Sequence, residues 1–205
     1  MQADDAPLTL GAPQTGARAL CVFLHGRGQT PEEMQEQVIR HLTVPGVAYV
    51  LPRAPGKVWY DAKAVDPLTE TTQAQLVAGL DRIAATIGTP QVPLLLAGFS
   101  QGACMALEYA LLRGAWHGGL VAFTGCRVGD AARPVADLGS MPVYLTGSDA
   151  DPWIPLPAFA AAVEACGRAR AQLRAECFPG RSHEVSRAEI NVLDQMLATL
   201  ARQEA

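Results

Sequence analysis

A serine, an aspartate and a histidine stand in this chain in an order that permits nucleophilic attack on a carbonyl carbon. The serine is Ser100, set in Gly98-Phe99-Ser100-Gln101-Gly102 between an apolar run (Val92 to Ala97) and a stretch without glycine or proline (Ala103 to Arg113). Strand, sharp turn and helix in succession put such a serine on a strained turn, its hydroxyl exposed at the carboxyl edge of a sheet. A hydroxyl is a weak nucleophile. It needs a base within hydrogen-bond reach, and the base needs an orienting carboxylate. Of the four histidines, His25 and His41 precede the serine and His117 precedes the strand that follows it, which leaves His183. Asp149 and Asp151 share the turn Gly147-Ser148-Asp149-Ala150-Asp151-Pro152, between Ser100 and His183. Pro152 fixes the turn directly after Asp151 and favours it, with Asp149 as the alternative acid. Aspartates also cap turns for structural reasons alone, so one Asp by itself would say little. The weight comes from nucleophile, acid and base falling in the required order on three separate strand-end loops. The oxyanion that attack creates needs two backbone N–H donors. The residue after the nucleophile, Gln101, is one; the loop after an earlier strand supplies the other, expected to be Arg27.

A sheet must position these groups. Ala19 to Leu24, Val47 to Leu51, Val92 to Ala97, Gly119 to Phe123, Pro142 to Thr146 and Gln172 to Phe178 read as strands, most of them apolar runs without alternation. Helices are expected between them. One runs from Pro31 to about His41, opened by the capping box Thr30-Pro31-Glu32-Glu33. Another runs from about Thr69 to Ile87, with Leu76, Leu80, Ile83 and Ile87 on one face. A third follows Ser100, and a fourth spans about Pro157 to Gly167. The last is opened by Ser186-Arg187-Ala188-Glu189 and has Ile190, Leu193, Leu197 and Leu200 as its core face. Alternating apolar strands and helices indicate an α/β protein, a mostly parallel sheet covered on both faces. Residues 1–17 are irregular or hold an edge strand around Leu8 to Leu10. The segment from Arg53 to Leu68 is long for a connection, and such loops are usually functional.

The composition excludes several partners. At 205 residues one domain over the whole chain is the expectation. A net charge of −4 and no basic cluster offer no grip on nucleic acid. Five scattered cysteines (Cys21, Cys104, Cys126, Cys166, Cys177) with no CxxC pair fit a reducing compartment and give no zinc pattern. The start, Met1-Gln2-Ala3-Asp4-Asp5, lacks the basic and apolar regions of a signal peptide, and no apolar run is long enough to span a membrane. A cytoplasmic protein without metal or other cofactor is expected.

Leu24-His25-Gly26, Trp59-Tyr60-Asp61, Gly98 to Gly102, Asp151-Pro152 and Gly180 to His183 together resemble the phospholipase/carboxylesterase family, which includes the acyl-protein thioesterases. The resemblance covers nearly the whole chain. It implies a single-domain α/β-hydrolase fold without a cap domain. It also implies a serine carboxylic-ester hydrolase acting on a small-molecule ester or thioester, with Ser100, Asp151 and His183 as the triad. Arg27 and Gln101 would give the oxyanion N–H groups, and a homodimer stays open. The more distant dienelactone hydrolases use a cysteine nucleophile, which Ser100 argues against. Many members carry an aliphatic residue where this chain has Arg27. Its side chain is expected to face solvent or pair with an acid; the sharper alternative is that it selects a polar or anionic acyl group. Trp59, Tyr60 and Trp153 are expected in the substrate pocket or in ordinary core. His25 is expected to make a structural hydrogen bond behind the oxyanion loop, and Cys104 and Cys126 to pack.

Overall fold

The structure is a computed structural model that describes residues 6–129 and 133–202; the acidic start, Met1 to Asp5, lies outside them. Seven strands form one sheet in the order β1-β3-β2-β4-β5-β6-β7. They are β1 (Leu8–Gly11), β2 (Ala19–Leu24), β3 (Val47–Leu51), β4 (Leu94–Phe99), β5 (Gly118–Phe123), β6 (Pro142–Gly147) and β7 (Gln172–Cys177). β1 pairs with β3 antiparallel as an edge strand, and every other pairing is parallel. The helices are α1 (Pro31–Gln37), α2 (Glu70–Ile87), α3 (Gln101–Arg113), α4 (Leu156–Arg168) and α5 (Arg187–Leu200). This is the α/β-hydrolase architecture.

Strand periodicity divides the core in two. Leu20, Val22 and Leu24 of β2, with Leu94 and Leu96 of β4, face α2, α3 and α4. Cys21 and Phe23, with Leu95 and Ala97, face α1 and α5. Both sides of the central strands are therefore buried, which is why they read as continuous apolar runs. β7 differs because it is the outer strand: Gln172, Arg174 and Ala175 are exposed along it. α1 is shorter than its pattern suggests. Its last turn breaks at Val38 (φ −126°, ψ −61°), and Ile39–His41 continue as a 3₁₀ turn that still buries Val38 and Ile39.

Two details of α3 bear on the site. A Cβ built on Gly102 would lie 2.2 Å from the Leu24 carbonyl oxygen, and one on Gly98 would lie 2.5 Å from the carbonyl of Gly102. Helix and strands thus meet at backbone distance. One turn further on, the fully buried Glu108 pairs with Arg127 and Arg133 and accepts the Val128 N–H at 2.9 Å, which anchors the loop after β5. Gly102→Ala should lower stability by at least about 2 kcal/mol, as overpacking against backbone does. Urea denaturation with matched slopes measures it.

Candidate active site

Five adjacent strands, β2, β4, β5, β6 and β7, deliver the oxyanion loop, Ser100, Thr124, Asp151 and His183 to one edge of the sheet. Ser100 sits between β4 and α3 at φ 55°, ψ −119°, a left-handed conformation that costs a serine roughly 1–3 kcal/mol. Its N–H donates to Phe123 O at 2.9 Å, which holds the turn in place. Ser100 Oγ is 2.8 Å from His183 Nε2, and His183 Nδ1 is 2.7 Å from Asp151 Oδ2. The carboxylate accepts, so Nδ1 carries the proton and Nε2 is left to accept from the serine hydroxyl. Asp151 Oδ1 accepts two backbone N–H groups, Trp153 and Ile154, each at 2.8 Å. The carboxylate is buried with both oxygens engaged. The Phe99 ring lies 5.0 Å from the imidazole.

Asp149, the alternative acid, does something else. Its Oδ1 accepts the Gly180 N–H at 2.7 Å, which ties the acid-bearing turn to the loop that carries His183.

The loop after β2 passes tightly against Ser100: a Cβ on Gly26 would lie 3.3 Å from Ser100 Cβ. Among the described residues, neither the Arg27 nor the Gln101 N–H has a hydrogen-bond partner. Gln101 is buried, and buried N–H groups are rarely left orphaned unless a ligand uses them. Helix α3 also points its N-terminal partial positive charge at the same place.

The side chains of these two residues depart from expectation. Arg27 is exposed at the edge of the cleft over Ser100, and its partners are carbonyls where an acid was expected. Its guanidinium donates to the carbonyls of Tyr60 (2.9 Å), Asp61 (3.1 Å) and Ala62 (2.5 Å). A planar fork of donors suits three carbonyls on one turn as no aliphatic residue could. The Gln101 side chain grips the same loop, accepting from Trp59 N–H and donating to Tyr60 O.

A cleft of about 450 Å³ opens over Ser100 and His183, walled by Tyr60, Ala64, Cys104, Trp153 and Ile154, with the charged Arg27, Asp61 and Lys63 also lining it. Tyr60 and Trp153 thus stand where the pocket was expected. Trp153 is 59% exposed at its rim. Trp59 does not line it. Its indole N–H donates to His25 O at 2.9 Å and its ring packs against the His25 imidazole, so it supports the oxyanion loop from behind. A larger groove of about 650 Å³, between the start of β5 and α5, holds none of these groups. Among the described residues no three His, Cys, Asp or Glu side chains are grouped as metal ligands, and no helix is long and apolar enough to cross a membrane.

Comparison with known proteins decides the family. The sequence model of the phospholipase/carboxylesterase family matches residues 8–201. The chain belongs to that family. A phospholipase/carboxylesterase from Dyadobacter fermentans DSM 18053 superposes with a TM-score of 0.83 at 28% identity, covering 94% of this chain and 96% of that one. Acyl-protein thioesterase 2 of Zea mays shares the fold, with a TM-score of 0.78 at 18% identity over 96% of this chain and 99% of that one. A probable carboxylesterase of Oryza sativa subsp. japonica is 29% identical over 139 residues, 57% of this chain. The matched stretch spans 59% of that relative's length.

In this phospholipase/carboxylesterase chain a buried polar network lies under the histidine loop. Arg181 ion-pairs with the fully buried Glu189 at the start of α5 and donates to Thr124 Oγ1 at 2.7 Å. Glu189 also accepts from Thr146 Oγ1 at 2.5 Å, and Ser148 Oγ donates to Arg181 O at 2.7 Å. The ends of β5 and β6 and the start of α5 are thereby bolted to residues 181–189. Glu189 was legible as a capping residue only, and its second role was not.

His25 is buried with both ring nitrogens engaged. Nε2 accepts the Ala54 N–H at 3.0 Å, and Nδ1 is 2.8 Å from Gly26 O. Burial lowers its pKa below the ordinary 6.5, because the charged ring would be desolvated. The unfolded chain therefore takes up a proton near pH 6.5 that the folded chain refuses. That stability is present above this pH and is lost as pH falls through it toward the folded value. The thermal midpoint should drop more steeply between pH 7.5 and 5.5 in the wild type than in His25→Gln, followed by circular dichroism.

Proposed function

We propose that this chain is a serine carboxylic-ester hydrolase that works through an acyl-enzyme on small to medium esters or thioesters. One observation carries the reading: the unbroken hydrogen-bonded line from Ser100 Oγ through His183 to Asp151, at 2.8 and 2.7 Å. Ser100 Oγ attacks the ester carbonyl as His183 Nε2 takes its proton. Asp151 holds the imidazole in the Nδ1–H tautomer and stabilises the imidazolium. The Arg27 and Gln101 N–H groups bind the oxyanion, an arrangement in which one donor is worth roughly 10²- to 10³-fold in kcat. Collapse expels the alcohol or thiol, which takes the proton from Nε2. Water then repeats the sequence with His183 again as base and releases the acid and free Ser100.

The cleft of about 450 Å³ is of a size suited to small ligands, and Tyr60, Ala64, Cys104 and Ile154 give it apolar walls. This supports short and medium acyl groups. Three carbonyls fix the position of the Arg27 guanidinium and leave its positive charge in place at the cleft, beside Lys63 and Asp61. The five cysteines are all unpaired, in keeping with a reducing compartment.

Ser100→Ala should retain the wild-type thermal midpoint and lose nearly all turnover of short p-nitrophenyl esters, at least about 10³-fold in kcat. It should also fail to react with a fluorophosphonate probe that labels the wild type. Retained turnover in this variant would reject the reading.

A further inference from the structure

Arg27 and Gln101 meet at a second place, a single backbone carbonyl. The Gln101 amide pairs with the loop as a neighbouring strand would. Its Oε1 accepts from Trp59 N–H at 2.9 Å and its Nε2 donates to Tyr60 O at 2.7 Å. Arg27 Nη2 donates to the same Tyr60 oxygen at 2.9 Å. We propose that this shared carbonyl makes the Arg27 and Gln101 side chains positioning residues for the oxyanion hole, each fixing the peptide whose N–H faces the reacting oxygen. The proposal rests on the hydrolase reading above and deepens it.

The backbone around Arg27 explains the need. Gly26 and Gly28 flank it, Gly28 at φ 73°, and the peptide that presents the Arg27 N–H is held at its carbonyl end, where Gly26 O accepts from Gln29 N–H at 3.2 Å and lies 2.8 Å from His25 Nδ1. The loop is tethered on both sides, by Gly26 N–H to Gln29 Oε1 at 3.1 Å and Gly28 N–H to Lys57 O at 2.8 Å. Beyond that peptide, Arg27 is tied to the facing loop through its side chain. Its guanidinium spans the carbonyls of residues 60, 61 and 62 and lies 5.8 Å from the Tyr60 ring centroid. Gln101 opens α3, and its N–H has no partner in the helix. Two donors on separate elements must converge on one oxygen, and a misplacement of about 1 Å can cost 10²-fold in rate. Linking both residues to Tyr60 O ties the position of one donor to that of the other. The link also makes the loop at 59–62 part of the catalytic geometry as well as a wall of the cleft.

The test compares Arg27→Met, Gln101→Met, their double, and Arg27→Lys, with a short p-nitrophenyl ester as substrate. A trifluoromethyl ketone, whose adduct with Ser100 carries an oxyanion, serves as the tetrahedral probe. Each Met variant should lower kcat about 10- to 100-fold with KM within about 3-fold, and should weaken the ketone in proportion to kcat/KM. The double should be no slower than the slower single, because both side chains act through one carbonyl. Arg27→Lys, which reaches one carbonyl at a time, should fall between wild type and Arg27→Met. Wild-type kcat in both single variants, a change confined to KM, or losses that multiply in the double would each overturn the proposal. Should Gln101→Met fail to fold, the exposed Arg27 carries the test through Met, Lys and the ketone. Loss of turnover in Ser100→Ala together with wild-type kcat in the Arg27 and Gln101 variants rejects the positioning role alone. Turnover retained in Ser100→Ala rejects the hydrolase reading itself.

Discussion

The first turn of α3 lies against the ends of β2 and β4 so closely that neither Gly98 nor Gly102 could carry a β-carbon. The geometry of the site descends from that contact. It forces the chain to reverse within one residue, which puts Ser100 into the left-handed region and lifts its hydroxyl clear of the sheet. It brings the free N–H groups at the start of α3 beside the loop that follows β2. It also sets where a base must stand to reach Oγ, and so fixes the demands on β6, β7 and their loops. The cost of the strained serine is met by the Ser100 N–H bond to Phe123 O and by the helix behind it, buried from Gln101 to Glu108.

Three loops with no secondary structure of their own must hold ångström-scale geometry at that edge, and the structure solves this with polar cross-links. Asp149 to Gly180, Ser148 to Arg181, and Glu189 to Arg181 and Thr146 join the acid-bearing and base-bearing segments. Most of these partners are buried. Removing one would leave the other as an uncompensated polar group, so the network is expensive to break even where it adds little net stability. The other side of the cleft uses main chain as acceptor: His25 O, Tyr60 O, Asp61 O and Ala62 O are held by Trp59, Gln101 and Arg27.

That division explains what could be read from the sequence. Ser100, Asp151 and His183 were legible because the three side-chain types fall in a set order on separate strand-end loops, and the apolar runs marked the strands. The preference for Asp151 over Asp149 followed from Pro152 and the family resemblance; Asp151 is the one bonded to His183, while Asp149 holds the Gly180 N–H. The Arg27 side chain was not legible, because its partners are backbone carbonyls, which every residue carries and no pattern announces. Trp59 was indistinguishable from Tyr60 for a similar reason; a ring behind a wall and a ring in it have the same spelling. α1 stopped early because Val38 leaves helical geometry while staying buried, so the apolar periodicity outlasts the helix.

Asp151 is oriented by the N–H groups of Trp153 and Ile154, yet the side chains of those same two residues form one wall of the cleft. The Asp151 carboxylate thus depends on their backbone, while the cleft is lined by their side chains. Replacements at 153 and 154 can therefore reshape that wall while the acid keeps both of its donors. Across the cleft the same separation holds, since Arg27 and Gln101 clasp the main-chain oxygen of Tyr60 and its ring forms the wall. On both sides of Ser100 the scaffold is written in main chain and the wall in side chains, so the two can change independently.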